Sequence, residues 1–482
     1  MSEIVKEVEG SIVEPQFAIP FSLASSIPCI GIRWKEGALV VAVPDEKRDE
    51  AQSALSGLDF KYEFVPADES DIRDLQSLIL GENGEQRIES FAAITGDAPI
   101  SQLVEELLNR AVSNRASDLH IEPFENYIDV RIRVDGRLKS LVNLPITIGP
   151  AISSRIKILS QLNIVERRRP QDGQFTTMIN DRRVDVRVAT TATLHGEKIV
   201  MRLHDERTPL VSLSQLGMPD YQYKPFSRAV LANNGLVLAA GPTGSGKTTT
   251  LHSALRATSS PEKNVTTIED PVEYVVPGIN QIPVSEATGT GFATQLRAIL
   301  RQDPDVILVG ETRDAETARI SVQASLTGHL VLSSIHATDA VGAVYRLMQM
   351  DIEPYLVASS LTMVISQRLV RRICNYCREE YLPSHSEKLL MEEHQMSAST
   401  LWKGAGCAFC GGSGYRSRIA AYQVLEINER LSELISTRPD PVEFRRAATE
   451  EGMSTIARQA LELATQGKTT IAEAMELLNY VE

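Results

Sequence analysis

The sequence is poor in cysteine, with five among 482 residues, and it has no run of about 18 consecutive apolar residues, which excludes a membrane-spanning helix. Its first ten residues carry three acidic side chains and one basic one, without a basic stretch followed by an apolar one. We therefore expect no secretory signal there. Five clustered cysteines are too few for a disulfide scaffold, so a reducing compartment is expected.

Acidic side chains outnumber basic ones, 63 to 49, so the formal net charge of the chain is -14. Residues 1–90 hold 18 acidic and 8 basic side chains and thus carry -10 of this charge. The lack of a uniformly basic face argues against nucleic acid as the main partner. The acidic segment is either a solvated surface or a docking face for a basic partner.

The composition is that of an ordinary soluble protein, with 43% hydrophobic and 23% charged residues. The length corresponds to about three domains of ~150 residues each. A polar break at 81–85 predicts a linker, and the segment Pro219–Pro225 predicts a connector. These breaks divide the chain into an N-terminal domain (1–85), a middle domain (95–215) and a C-terminal domain (225–482).

Alternating and apolar runs locate the elements of the first two domains. The N-terminal domain is predicted to contain two strands, at 29–34 and 38–43, and a helix at 46–55. The middle domain is predicted to contain an amphipathic helix from Pro99, strands at 127–133, 183–188 and 198–203, and a helix at 152–162. Both domains are therefore expected to be of the α/β class.

From Gly235 onwards, short and largely apolar runs alternate with helical segments. Runs of this length and composition are typical of strands buried on both faces, and hence of a parallel sheet covered by helices. These strands are predicted at 236–240, 265–268, 306–309 and 330–335.

A glycine-rich segment, Gly241–Thr248, follows the first of these strands and opens a predicted helix at 248–257. Its pattern G-x-x-x-x-G-K-T is that of a phosphate-binding loop, and its context disfavours the alternative of a bare glycine-rich turn. Glycines let the backbone curl so that N–H groups converge on phosphate oxygens, and the helix N-terminus adds partial positive charge. Lys247 would reach the β- and γ-phosphates, and the hydroxyl of Thr248 would bind Mg²⁺. The candidate nucleotide-binding residues are Gly241, Pro242, Thr243, Gly244, Ser245, Gly246, Lys247, Thr248 and Thr249.

Acidic side chains follow two further strands at the same predicted edge of the sheet. Glu311 comes after Gly310, where an aspartate at the strand end is more usual, and its longer carboxylate could hold Mg²⁺ through water. Glu269, in the acidic cluster 268–273, is the candidate for orienting the attacking water. Each carboxylate could alternatively be a solvated loop acid.

Histidine and arginine residues supply further candidates. His336 lies just past a third strand end, where it could sense a γ-phosphate, although a structural role fits it equally well. Phosphoryl transfer builds negative charge that a guanidinium from a neighbouring subunit can stabilise. Arg297 and Arg301 lie four residues apart on one helix face, and Arg187 and Arg202 lie on strands of the middle domain. On sequence alone, each arginine could instead be a surface or packing residue.

Four of the five cysteines form two Cys-x-x-Cys pairs, Cys374 with Cys377 and Cys407 with Cys410, separated by 29 residues. Two such knuckles can bring four thiolates into a closed tetrahedral zinc site, which has no open position and is therefore structural. Iron in the same ligands and redox-active pairs are the alternatives. Cys29 falls in an apolar strand and is expected in the core.

Together these motifs resemble the secretion ATPases of bacterial type II secretion and type IV pilus assembly. The resemblance covers roughly residues 90–480. Four boxes carry it, namely the phosphate loop Gly241–Thr248, the acidic box Thr267–Glu273, the segment Leu296–Thr317 and the histidine box Thr327–His336. Matches in the middle domain lie at Ala116–Pro123, Val134–Arg137 and Arg169–Gly173.

Two details refine this resemblance. Gln174 stands where relatives commonly have arginine, which puts a basic contact at that position in doubt. Segments Ile19–Ala24 and Trp34–Val41 resemble the short N-terminal domain of the type II secretion members of the family. The cyclic-dinucleotide motif that pilus-extension relatives often carry is not found.

The resemblance implies a RecA-like P-loop NTPase core with a mostly parallel sheet. A small N-terminal α/β domain and a PAS-like α/β middle domain would precede it, and a zinc-binding insertion would occupy 373–415. It implies ATP, Mg²⁺ and Zn²⁺ as cofactors, the last bound by Cys374, Cys377, Cys407 and Cys410. The catalytic residues that it implies are Lys247, Glu269, Glu311, Arg187, Arg202, Arg297 and Arg301, to which the residue-based analysis adds His336.

The function implied is that of a cytoplasmic motor, an ATP-hydrolysing homohexamer peripherally associated with the inner membrane, that drives pseudopilus assembly in type II secretion. Its implied partners are the cytoplasmic domain of an inner-membrane secretion protein, docked on residues 1–90, and the inner-membrane platform protein. Pilus extension is the nearest alternative.

Two other classes of function stay open on sequence grounds. A scaffold that binds ATP without hydrolysing it is disfavoured by the presence of both Glu269 and Glu311. A nucleic-acid motor is disfavoured because residues 91–482 carry a net charge of -4 rather than a positive one.

Overall fold

A computed structural model describes most of the chain as two compact units. The described residues are 6–8, 11–19, 21–56, 58, 60–80, 97–179, 182–205, 211–284 and 290–481. Unit 1 comprises residues 1–209, 374–378 and 404–417, and unit 2 comprises 210–373, 379–403 and 418–482. The linker expected at 81–85 lies outside the described residues.

The N-terminal part of unit 1 is a small α/β domain. Its elements are β1 (Lys6–Val8), β2 (Ser11–Val13), α1 (Phe21–Ser26), β3 (Ile30–Lys35), β4 (Ala38–Val43), α2 (Arg48–Leu55), β5 (Lys61–Pro66) and α3 (Glu69–Leu80). β4 lies between an antiparallel β3 and a parallel β5. Cys29 is fully buried beside β3, as expected. The helix expected from Glu46 becomes α-helical only at Arg48, after a 3-10 turn at Asp45–Lys47.

The middle part of unit 1 is a six-stranded antiparallel sheet with two helices. Its elements are α4 (Asp97–Ser113), β6 (Asp118–Pro123), β7 (Tyr127–Val134), β8 (Arg137–Pro145), α5 (Gly149–Leu159), β9 (Gln171–Ile179), β10 (Arg182–Thr193) and β11 (Gly196–Asp205). The strand order is β8-β7-β6-β11-β10-β9. Alternation along β7 buries Ile128, Val130 and Ile132 in one cluster with the apolar faces of α4 and α5.

A buried ion pair lies inside this middle part. The ammonium of Lys157, on α5, has no exposed surface; it pairs with Glu197 of β11 and donates a 2.6 Å hydrogen bond to the carbonyl oxygen of Glu166. Ser153 donates to the other oxygen of Glu197 at 2.6 Å. A helix, a strand and the loop before β9 are thus held through one cation.

Unit 2 is built on a seven-stranded sheet with helices on both faces. The elements from residue 211 onwards are α6 (Asp220–Val230), β12 (Gly235–Ala240), α7 (Lys247–Thr258), β13 (Val265–Glu269), β14 (Asn280–Pro283), α8 (Phe292–Ile299), β15 (Val306–Val309), α9 (Ala315–Leu326), β16 (Leu330–Ile335), α10 (Ala340–Gln349), α11 (Pro354–Ser360), β17 (Leu361–Ile373), β18 (Arg378–Tyr381), α12 (His385–Glu393), β19 (Leu401–Gly404), β20 (Tyr415–Glu426), α13 (Glu429–Ser436), α14 (Pro441–Glu450), α15 (Ile456–Thr465) and α16 (Ile471–Val481). The strand order is β14-β13-β15-β16-β12-β17-β20, and the five pairings from β14 to β17 are all parallel.

The parallel sheet expected from the short apolar runs is therefore confirmed. Along β12, Leu236 and Leu238 belong to one core cluster while Val237 and Ala239 belong to another, which shows that both faces of the strand are covered. Because β12, β13, β15 and β16 are parallel, their carboxyl ends meet at the same edge of the sheet.

The connector expected at Pro219–Pro225 is wrong, since most of this segment forms the start of α6. Pro219 is the extended residue immediately before the helix, and Pro225 lies within it. Gln222, Phe226 and Val230 follow one another at four-residue spacing and are all buried. Packing of this face outweighs the helix-breaking tendency of proline.

Among the helices that the structure describes, none has the length and apolar composition needed to cross a lipid bilayer.

We expect Lys157→Met to destabilise the middle part of unit 1 by about 3–5 kcal/mol, because it leaves the Glu197 carboxylate buried without its cation. Native-state hydrogen exchange of the α5 and β11 amides in the full chain measures this change. The double variant Lys157→Met with Glu197→Leu removes both charges and should recover most of the loss. Equal protection in Lys157→Met and wild type would contradict the role of the pair.

Candidate active site

The phosphate-loop motif forms a curled loop between β12 and the N-terminus of α7. Gly244 and Gly246 have φ values of 76° and 89°, in the left-handed region that favours glycine. At Gly241, with φ 148°, an added Cβ would lie 2.6 Å from the Ser245 hydroxyl oxygen and 2.9 Å from the carbonyl oxygen of Gln367. The loop therefore has the shape of an anion cradle whose curl tolerates no side chain at its first position.

Ser245 places a hydroxyl group in this cradle that has no hydrogen-bond partner among the described residues. Its hydroxyl oxygen is buried. Buried hydroxyls are usually paired, because leaving one unpaired costs about 1–3 kcal/mol. The residues present thus fit a phosphate-bearing ligand at this loop.

Lys247, the first residue of α7, lies against the curl. Its ammonium donates hydrogen bonds to the carbonyl oxygens of Gly241 at 2.8 Å and Pro242 at 2.9 Å. Burial lowers the pKa of Lys247, the charge of Glu311 opposes this, and the charge of Arg368 lowers the pKa further. Glu311 is thereby near enough to act on the lysine electrostatically.

Gln367, on β17, contacts the loop and was not among the residues predicted from the sequence. Its amide nitrogen donates to the carbonyl oxygen of Ser245 at 2.7 Å, and its amide oxygen accepts from Thr250 of α7 at 2.8 Å. Gln367 is 1% exposed. Gln367 fixes the loop relative to α7. This role cannot be predicted from local sequence, because the residues that Gln367 contacts are far from it in the chain.

Glu269, at the end of β13, is a buried carboxylate with 3% exposure. Its Oε1 accepts hydrogen bonds from Thr267 at 2.6 Å and from Gln281 of β14 at 3.0 Å. Burial raises the pKa of Glu269, but contacts with His252, Thr267 and Gln281 outweigh burial and lower the pKa below its usual value. The group is therefore held as a carboxylate.

His252, on α7, connects this acid to the phosphate loop. Its Nε2 lies 3.2 Å from Oε2 of Glu269, and its Nδ1 lies 2.9 Å from the carbonyl oxygen of Thr248. Burial lowers the pKa of His252, but the contact with the Glu269 carboxylate outweighs burial and raises it. His252 cannot be identified from the sequence, because it lies four positions beyond the motif and on a helix face that only the fold turns towards β13.

Glu311 follows β15 and is also near the loop. Its carboxylate pairs with Arg313 and lies 3.5 Å from Nε2 of His336, and its side chain is 14% exposed. The two acidic strand ends pack tightly, because a Cβ at Gly310 would lie 3.0 Å from the carbonyl oxygen of Ile268. In unit 2, Glu311 therefore lies beside His336, and its negative charge acts on Lys247.

The four candidate arginines lie in two places. In unit 2, Arg297 of α8 pairs with Glu316 of α9, and Arg301 follows the end of α8. In unit 1, Arg187 and Arg202 are directly opposite each other on β10 and β11, so both point to the same face of the sheet.

The unit 1 arginines belong to a polar row that crosses five strands. Successive register partners are Gln174 with Arg187, Arg202 with Asp118, and Asp118 with Arg133. The Nε of Arg202 donates to Asp118 at 3.2 Å, although the Arg202 side chain is 65% exposed. Gln174 stands at one end of this row.

The four paired cysteines form one buried cluster. Their sulfur atoms all lie within 4.8 Å of one another, with Sγ separations of 3.8 Å for Cys374–Cys407, 3.9 Å for Cys377–Cys410 and 3.8 Å for Cys407–Cys410. Zinc with four thiolates at about 2.3 Å in a tetrahedron requires sulfur separations of about 3.8 Å. The four residues therefore fit a closed zinc site, and the separations are too long for disulfides.

Comparisons with known proteins agree with these features. The family model described as "Type II/IV secretion system protein" matches residues 93–476. The type II secretion system ATPase E of Vibrio cholerae serotype O1 is 42% identical over 381 residues, which cover 79% of this chain and 76% of that protein. The type IV pilus assembly ATPase PilB of Myxococcus xanthus is 37% identical over 497 aligned residues, which cover 98% of this chain and 86% of that protein. The crystal structure of the pilus retraction motor PilT with bound ADP has a TM-score of 0.52 and 25% identity, covering 78% of this chain and 96% of that one. The chain therefore belongs to the family of type II and type IV secretion system proteins.

Proposed function

We propose that this chain hydrolyses ATP to ADP and phosphate at the loop Gly241–Thr249. The observation that carries the proposal is the curled loop itself, with a buried, unpaired Ser245 hydroxyl inside the cradle. Family membership and the motor proteins among the relatives support the same conclusion.

In this proposal the loop amides and Lys247 bind the phosphates, and the ammonium exchanges its present carbonyl partners for phosphate oxygens. The hydroxyl of Thr248 and, through water, the carboxylate of Glu311 would hold Mg²⁺. When bound, Mg²⁺ neutralises charge that develops on the phosphates. His336, beside Glu311, would respond to occupation of the γ-phosphate position.

Glu269 is proposed to orient the attacking water. Its lowered pKa keeps it a carboxylate, which can accept a proton from water as attack proceeds. His252, Thr267 and Gln281 hold its two oxygens in place. The carboxylate is thereby preorganised, so it need not be reoriented during the reaction.

Arginines would stabilise the charge that spreads over the transferred group. We propose this role for Arg187 and Arg202, which share one face of the unit 1 sheet, and for Arg297 and Arg301 near α8. A guanidinium contributed by a neighbouring subunit would make hydrolysis depend on assembly, in keeping with a homohexamer.

At the level of the cell, we propose that hydrolysis drives pseudopilus assembly for type II secretion at an inner-membrane platform. Residues 1–90 would dock on the cytoplasmic part of an inner-membrane secretion protein, with their net charge of -10 facing a basic surface. Cyclic closure around the ring would convert hydrolysis into motion at the platform.

A second candidate function is type IV pilus assembly. The specific observation in its favour is that the match to PilB of Myxococcus xanthus extends over 98% of this chain, whereas the match to ATPase E of Vibrio cholerae covers 79%. The additional coverage includes the N-terminal domain, which is the part proposed to choose the membrane partner.

The first prediction is that Lys247→Ala lowers the ATP turnover of the full chain by roughly two orders of magnitude or more while the fold is kept. Phosphate release measures turnover, and far-UV circular dichroism checks the fold. Lys388→Ala, which removes an exposed lysine of α12, is the matched control and should keep wild-type turnover. Wild-type turnover in Lys247→Ala would refute hydrolysis at this loop.

The second prediction concerns the positioning of Glu269. His252→Leu should lower kcat roughly 10- to 100-fold, because the 3.2 Å contact between Nε2 and the Glu269 carboxylate is lost, while KM for ATP changes little. His252→Gln keeps a donor and should recover part of kcat. His385→Leu, at the exposed start of α12, is the control. A rise in KM with unchanged kcat would show that His252 acts on binding and not on the acid.

The third prediction separates secretion from pilus assembly. Residues 1–90 used as bait should retain the cytoplasmic domain of an inner-membrane secretion protein, and the yield should fall as salt is raised because the contact is ionic. The matched bait replaces exposed acids, as in Glu46→Gln with Asp49→Asn, and should bind less. Retention of a pilus-platform component instead would favour the second candidate.

A further inference from the structure

The two cysteine knuckles contact the N-terminal domain, and both belong to unit 1. The carboxylate of Asp71, on α3, accepts hydrogen bonds from the hydroxyl of Tyr376 at 2.8 Å and from the guanidinium of Arg416 at 2.6 Å. Tyr376 lies inside the first Cys-x-x-Cys pair, and Arg416 follows the second pair. One acidic side chain is thus held by groups from both knuckles.

These groups are arranged by contacts between the knuckles. The rings of Tyr376 and Phe409 stack with centroids 4.2 Å apart, and each lies in the variable part of its own Cys-x-x-Cys pair. The Arg416 guanidinium lies over both rings, 5.4 Å from the centroid of Phe409 and 5.9 Å from that of Tyr376. It also donates to the carbonyl oxygen of Phe409 at 3.0 Å. The binding site for Asp71 therefore exists only when the knuckles are side by side.

Apolar packing extends the same contact. Ile72 and Leu75 of α3 and Ile30, Ile32, Val40 and Ala42 of β3 and β4 form a single buried cluster with the four cysteines and Phe409. The cysteine side chains are thus part of the core that joins the N-terminal domain to the knuckles. Burial of such a cluster stabilises the contact roughly in proportion to the apolar area removed from water.

The knuckles are also fixed to the middle part of unit 1. The backbone N–H of Ser417 donates to Asp135, in the turn between β7 and β8, at 2.9 Å. On the other side of the contact, Arg182 of β10 donates to both carboxylate oxygens of Asp74 of α3 at 2.9 Å. In the described part of the chain, α3 is therefore anchored at the knuckles through Asp71 and at β10 through Asp74.

The cysteine geometry links this anchor to a metal. Twenty-nine residues separate the two pairs, and sulfur atoms 3.8–3.9 Å apart have no covalent bond between them. A tetrahedral metal would supply four bonds that join the pairs. Without it, only non-covalent contacts would join the pairs, namely the stacking of Tyr376 on Phe409 and the backbone hydrogen bonds from Cys374 to Gly414 and from Ala405 to Cys377, both 2.9 Å. They would have to act against the entropy of the intervening chain.

We propose that metal bound by Cys374, Cys377, Cys407 and Cys410 assembles the docking site for the N-terminal domain, with Asp71 as the residue it captures. The metal centre then has a function beyond local folding: its occupancy determines whether α3 and β3 are held or released. The segment proposed to meet a membrane partner is thereby controlled by a thiolate site that lies far from it in the sequence but packs against it in the fold. The inference does not depend on ATP hydrolysis.

Hydrogen exchange of the full chain, followed by mass spectrometry, tests this inference together with a measurement of bound zinc. Removing zinc with a chelator should raise exchange about tenfold or more in peptides covering β3, β4 and α3, as well as in the knuckles. Asp71→Asn should keep its zinc and still show faster exchange in α3 and β3. Asp49→Asn, an exposed acid on α2, is the matched control and should match wild type.

Two results would overturn the inference. If zinc removal changes exchange only within 374–417 and leaves α3 and β3 protected, docking does not depend on the metal. If Asp71→Asn leaves the exchange of α3 and β3 at the wild-type rate, Asp71 is not the captured residue. Tyr376→Phe separates folding from docking, because it keeps the ring stack while removing one hydrogen bond to Asp71, and it should give a smaller increase than Asp71→Asn.

Discussion

A negative charge buried at the end of a central strand is the constraint on which the ATPase unit depends. Glu269 is 3% exposed, and such a carboxylate is costly unless its oxygens are paired. Its partners come from three elements: Thr267 from its own strand, Gln281 from the register position beside Thr267 on β14, and His252 from α7. Because α7 also opens with Lys247, the helix that completes the phosphate loop carries the group that positions the acid. The position of Glu269 is therefore coupled to that of the phosphate loop through α7.

The arginines of unit 1 have the opposite requirement, since the cations proposed to act on a nucleotide must be held in place without being buried. Arg202 is 65% exposed at its side chain, yet its Nε contacts Asp118, which is itself 7% exposed. The buried acid limits where the exposed guanidinium can move, while the remaining donors of the guanidinium stay available. The antiparallel register places Arg187 beside it, so a single sheet presents two cations on one face.

Local signals in the sequence were enough to predict β12, β13, β15 and β16, the phosphate loop and the two Cys-x-x-Cys pairs, since each depends on residues that are close in the chain. The parallel strands β14 and β17 were not predicted. His252 and Gln367 could not be predicted, because their roles depend on where α7 and β17 lie across the sheet. The error at Pro219–Pro225 has the same origin. The two prolines indicated a break in the chain, but packing of the buried face of α6 makes most of the segment helical.

The cysteine knuckles extend this argument from residues to domains. Spacing in the sequence predicts that four thiolates meet, but it says nothing about what the intervening side chains contact. In the fold, Tyr376 and Phe409 stack on each other. Phe409 packs in the cluster shared with the N-terminal domain, and Tyr376 and Arg416 both donate hydrogen bonds to Asp71. A structural metal site normally stabilises only the segment that contains its ligands. Here the four cysteines share a core with β3, β4 and α3, so in our proposal the free energy of metal binding would also hold a second domain in place.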